Sequence, residues 1–70
     1  MRRYKVSVKF GGKVQRIRKK SKISQEELAS MIGVHRNHMG RIERGETNPN
    51  LPLINKIARA LKVKSSELLD

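Results

Sequence analysis

The stretch from His35 to Arg44, HRNHMGRIER, gathers more hydrogen-bonding chemistry than any other part of the chain. On a helical wheel at about 100° per residue, Met39, Ile42 and His35 fall on one side. Arg36, Asn37, Gly40, Arg41 and Arg44 fall on the other, and Glu43 lies on the flank. A solvated helix face ordinarily mixes charges of both signs. This one offers donors, with Asn37 also able to accept. Arginine pairs bidentately with guanine, and asparagine with adenine, at base edges in the DNA major groove. The chemistry implied is therefore readout by hydrogen bonding. Gly40 costs about 1 kcal/mol relative to alanine inside a helix. Either it lets the helix lie closer to DNA, or it is a harmless exposed glycine.

Other chemistries find little support. His35 and His38 are three apart, a spacing that suits a metal on a helix, but the chain has no cysteine and only scattered acids to complete a ligand set. Nothing resembles a nucleophile with its base or a phosphate-binding loop, so no enzymatic activity and no cofactor are expected. Tyr4 and Phe10 are the only aromatics, poor equipment for stacking unpaired RNA bases. No run is long or apolar enough to span a membrane, and no apolar signal-peptide core opens the chain. A cytoplasmic protein without a small-molecule ligand is expected.

Charge points the same way as the donor face. The formal net charge is +11, from 17 Lys and Arg against 6 Asp and Glu. Between Arg2 and Lys22 there are ten basic residues and no acid. Such a field repels itself and suits an anionic partner.

The elements that must position these residues are short. With 70 residues, one domain is expected, with a modest core. Ser24 is a good N-cap, and Glu27 three residues later completes a capping box. Ile23 and Leu28 can form the hydrophobic staple beside it. Leu28, Met31 and Ile32 form an apolar face, and Gly33 ends that helix where a left-handed residue is wanted. After the His35–Arg44 helix comes the loop GETNPN. Asn50 then caps a helix with Leu51, Leu53, Ile54, Ile57, Ala58 and Leu61 at helical spacing and Pro52 in its first turn. Ser65 is placed to cap a last turn whose Leu68 and Leu69 close the core. A short, very basic first helix starts near Lys13, with Val14 and Ile17 inward. The expectation is an all-α domain of five short helices over residues 11–70.

Residues 1–10 are set apart as an N-terminal arm or strand, with Gly11-Gly12 as the break. Tyr4, Val6, Val8 and Phe10 alternate with Lys5, Ser7 and Lys9, the period of a strand. Three readings stand open: a disordered arm, a basic arm placing Arg2 and Arg3 in a minor groove, or a strand. The alternation favours the strand, which would pair with its copy in a second chain.

Two short helices joined at Gly33, the second with a donor-rich face, make a helix-turn-helix. The pattern Ser24-Gln25, Leu28-Ala29, Gly33-Val34, Ile42-Glu43-Arg44-Gly45, Pro49, Leu51 and Ile57-Ala58 resembles the XRE-type, lambda-repressor-like family of DNA-binding domains. The resemblance runs from about Phe10 to Leu69. It implies a sequence-specific transcriptional regulator that binds a palindromic duplex operator as a homodimer. In this resemblance Arg36, Asn37 and Arg41 face base edges. Gln25, Arg18, Arg44 and His35 are assigned to the DNA backbone. Ser24, Glu27, Gly33 and Glu43 are structural, with Glu43 also matching a tether to Arg18. The chain departs from the family at His35, where Ser or Thr usually caps, and at Lys22, where Gly is common. An antitoxin-like or adaptor module that uses the same fold to hold a protein partner is the rival reading. The rival dimer surface is the C-terminal end around Leu61, Val63 and Leu69.

Overall fold

The computed structural model describes residues 5–69. They form five helices: α1 (Lys5–Lys20), α2 (Gln25–Ile32), α3 (Arg36–Glu43), α4 (Leu51–Leu61) and α5 (Ser65–Leu69). Among the described residues there is no strand. Helix α1 packs on α3, α4 and α5, while α2 packs on α3 and α4. Val14, Leu28, Met39, Ile42, Ile57 and Leu68 are the most deeply buried large side chains, so every helix contributes to one core.

The largest departure from expectation is at the N-terminus. Residues 5–10 are helical, so the strand is not there, and α1 runs through the expected break at Gly11-Gly12 without interruption. Met1–Tyr4, four of the ten residues of the arm, lie outside the described residues. From Ser7 onward, where the side chains are described, the buried positions of α1 are Ser7, Phe10, Gly11, Val14 and Arg18, a spacing of three and four. That stripe is helical, but only two of its five members are hydrophobic. Val8, part of the apparent alternation, is exposed.

Gly11 explains why a glycine belongs inside this helix. A Cβ there would lie 2.3 Å from the Ile42 carbonyl oxygen and 2.6 Å from that of Glu43. Helix α1 therefore crosses the end of α3 backbone to backbone, and Gly11 sits in the crossing. Gly12 faces open space.

Helices α1 to α4 end alike. Lys22, Gly33, Gly45 and Lys62 all take positive φ, between 60° and 76°. At each, two successive N–H groups turn back to the last turn's carbonyls, as in Gly33 to Ser30 and Val34 to Ala29. Lys22 makes this turn without the glycine common in relatives. The expected starts of α2 and α4 are present. Ser24 and Glu27 form the full capping box, and the Asn50 side chain accepts from the Leu53 N–H at 3.0 Å. Two other details differ from expectation. Ser65 is the first residue of α5 and not its cap: its hydroxyl bonds the Asn55 Oδ1 at 2.7 Å, and the Glu67 carboxylate accepts from the Lys64 N–H at 2.9 Å. Met31 and Leu69, expected in the core, are more than half exposed, as is Leu51.

The two adjacent glycines should respond in opposite directions. Gly12→Ala should stabilise by about 0.5–1 kcal/mol through helix propensity. Gly11→Ala should destabilise by about 1–3 kcal/mol or more, because backbone and not a mobile side chain blocks the new methyl. Thermal melting of both variants tests the crossing, and equal shifts would contradict it.

The capping box has a pH signature. Hydrogen bonds from the Ser24 backbone N–H and then its hydroxyl hold the Glu27 carboxyl below its ordinary value of 4.5. A depressed carboxylate stabilises above 4.5 and loses that contribution as pH falls through the folded-state value. Melting temperature should therefore drop in acid, and Glu27→Gln should flatten that part of the profile.

Candidate nucleic-acid interface

The orientation of α3 is set by a buried ion pair. Arg18 Nε donates to Glu43 Oε2 at 2.6 Å, and Arg18 Nη2 donates to Glu43 Oε1 at 3.0 Å. Arg18 Nη1 reaches the Ile23 carbonyl at 2.9 Å, and Gln25 Nε2 donates to Glu43 Oε1 at 3.0 Å. The two side chains of the pair are 8% and 1% exposed. One carboxylate thus joins α1, the loop after it, the first residue of α2 and the end of α3. All three Arg18 nitrogens are engaged and enclosed. Arg18 is therefore structural, and its assignment to the DNA backbone does not hold. Glu43 fits its assigned tether, though it lies inside and not on the flank.

The start of α3 is capped by His35. Its Nδ1 accepts from the Asn37 N–H at 3.0 Å, so the imidazole does the work that Ser or Thr does in relatives. This places His35 at the exposed helix end and not on the inward side with Met39 and Ile42.

From this fixed frame α3 presents one face outward. Arg36, Asn37 and Arg41 are exposed. Among the described residues, none of these three side chains makes a hydrogen bond or ion pair. With Gln25, Gly40 and Arg44 they line one shallow cleft. Gly40 is not an exposed glycine: it is buried beneath its neighbours. Arg44 is half exposed and bonds Glu46 through Nε at 2.9 Å and Nη2 at 3.3 Å. The Glu46 hydrogen bond, foremost, raises the guanidinium above its already high range and keeps it charged. The Glu46 carboxylate is itself enclosed, 6% exposed. The two acids bonded to residues of this cleft, Glu43 to Gln25 and Glu46 to Arg44, are thus both enclosed. Glu46 was not anticipated from the sequence, where it reads as part of a polar loop.

The arrangement is a helix-turn-helix whose second helix displays an unpaired donor face. Residues 14–68 match the helix-turn-helix family HTH_3, and the chain belongs to that family. It is 48% identical over 62 residues to the control protein C.BamHI of Bacillus amyloliquefaciens, covering 87% of this chain and 76% of that one. Among solved structures it is similar to the restriction-modification controller protein C.AhdI from Aeromonas hydrophila. That match has a TM-score of 0.88 and 40% identity, and covers 93% of this chain and 98% of the other. It is also similar to a solved structure of the biofilm regulator SinR in complex with DNA, with a TM-score of 0.81 and 34% identity over 87% of this chain and 98% of the chain in that structure; the match spans 56% of the whole SinR protein of Bacillus subtilis.

Breaking the pair from one side strands a buried charge. Glu43→Ala should cost about 3–5 kcal/mol, a large part of the total stability of a small domain. Replacing both partners, as Arg18→Met with Glu43→Leu, should recover most of that loss, since an apolar pair leaves no charge unpaired. Denaturant titration of the single and double variants distinguishes these outcomes; additive losses would show that the pair does not act as a unit.

Proposed function

We propose that this protein is a transcriptional regulator that reads duplex DNA by laying α3 in the major groove. The observation that carries this is the exposed row of Arg36, Asn37 and Arg41, three side chains without protein partners on a helix whose one acid, Glu43, is buried. Arginine and asparagine supply base-specific bidentate bonds. Gln25, at the first position of α2, is the backbone-contacting residue, aided by the helix N-terminus. His35 and Arg44 flank the groove and approach phosphates. The family membership and the DNA complex of SinR support the same reading. Regulation needs no catalysis: bound protein occludes polymerase or contacts it.

In this reading a homodimer sets two α3 helices about 34 Å apart, one DNA turn, matching a two-fold symmetric operator. A strand-mediated dimer lapses, because residues 5–10 are helical. The C-terminal end takes its place, where Val63 is partly exposed and Leu69 is 51% exposed. Leu61, expected in that surface, is buried in the core.

Selection of bound duplexes from a random pool, followed by titration, tests the proposal. If about 6 phosphates are neutralised per bound unit, the logarithm of affinity should fall against that of salt with a slope near −5. Arg36→Ala, Asn37→Ala and Arg41→Ala should each lose discrimination at particular base pairs by about 1–3 kcal/mol. Gln25→Ala should weaken all sequences alike, since phosphates carry no sequence. Affinity that is flat in salt, or a Gln25→Ala variant that changes the preferred sequence while the other three do not, would overturn it.

A further inference from the structure

Three of the four left-handed helix ends are followed by an apolar residue packed on the core: Ile23, Val34 and Val63. A hydrophobic contact at that position is the usual companion of the turn. The fourth, after Gly45, is followed by Glu46. Its backbone is held by the turn itself, with the Glu46 N–H on the Arg41 carbonyl at 2.9 Å and the Gly45 N–H on that of Ile42 at 3.1 Å. Gly45 in turn sits against Val8 of α1, where a Cβ would lie 2.5 Å from a Val8 methyl. The carboxylate therefore projects from a fixed point.

That carboxylate takes two of the three nitrogens of Arg44. The third, Nη1, is directed back along α3 over Gly40. A Cβ on Gly40 would lie 3.1 Å from Arg44 Nη1 and 3.7 Å from Gln25 Oε1. Gly40 is thus a notch that accepts the guanidinium, and the missing side chain serves Arg44 directly. Gln25, on the other side of the notch, is itself fixed by Glu43.

Resting on the DNA-binding reading above, we infer that Glu46 is a positioning residue for DNA binding: it clamps Arg44 across the Gly40 notch so that Nη1 meets a backbone phosphate, beside Gln25, in one preset orientation. A half-exposed ion pair adds little to stability. Its effect is on binding, because an arginine already ordered loses less side-chain freedom when it meets its partner. A carboxylate that competed with the polyanion for Arg44 would instead weaken binding. Clamp and competitor differ in sign, which makes the inference testable.

The test is a double-mutant cycle on a duplex selected from a random pool, at fixed salt, with melting curves for each variant. Glu46→Ala should bind about three- to ten-fold more weakly, although a negative charge has been removed. Glu46→Gln, which keeps an acceptor, should fall between. In an Arg44→Ala background, Glu46→Ala should leave affinity unchanged or slightly improved. Gly40→Ala should hold or raise the melting temperature, since its methyl crowds only the side-chain end of Arg44 and meets Gln25 at ordinary contact distance, while weakening DNA binding by a similar factor. Tighter binding by Glu46→Ala would show a competitor. Equal weakening in both backgrounds would show a purely structural residue. Either overturns the clamp while leaving the regulator reading intact. A wild-type chain that selects no duplex would remove the regulator reading, and the clamp with it.

Discussion

The buried carboxylate of Glu43 is the constraint on which this structure turns. Taking a charge out of water is expensive, and an ion pair repays that only when geometry is good and the remaining lone pairs are bonded. Here both conditions are met. Arg18 supplies two parallel bonds, and Gln25 supplies a third to the same group. Arg18 then uses its last nitrogen on the Ile23 carbonyl. The network holds α1, α2 and α3 in one relation. A small core of aliphatic side chains excludes water without specifying orientation so sharply, because apolar contact has no direction.

The same network decides what the outer face of α3 offers. Glu43 is the only acid within α3, and burying it leaves exposed arginines and an asparagine. Gly11 contributes from the other side. By letting α1 approach to the α3 carbonyls, it brings Arg18 within reach of Glu43 and Val8 against Gly45. The helix presented to a ligand is therefore supported from behind by the helix richest in positive charge. Positive charge and a fixed orientation of the exposed α3 donors come from the same packing arrangement.

Several parts of this were legible in the residues alone, because they are local. The capping box of Ser24 and Glu27, the left-handed Gly33 and the Asn50 cap each involve bonds spanning only a few residues, and the side-chain types required are distinctive. The inward Met39 and Ile42 follow from helical spacing, as does the outward set Arg36, Asn37 and Arg41. The resemblance to the family also paired Arg18 with Glu43. Nothing local shows that this pair is enclosed.

What tertiary structure alone decided is distant in sequence. The inner stripe of α1 contains a serine, a glycine and an arginine, so hydrophobic periodicity could not find it, and the alternation of Tyr4 to Phe10 imitated a strand. Gly11 reads as a break until the carbonyls of Ile42 and Glu43 are placed against it. Arg18 is enclosed only because an acid 25 residues away meets it in the fold. Met31 and Leu69 have core chemistry, but the neighbouring helices do not cover them. Local bonding preferences thus determined where most helices begin and end. Which of their side chains became interior, and which were left to face a partner, depended on contacts between helices that no short stretch of sequence contains.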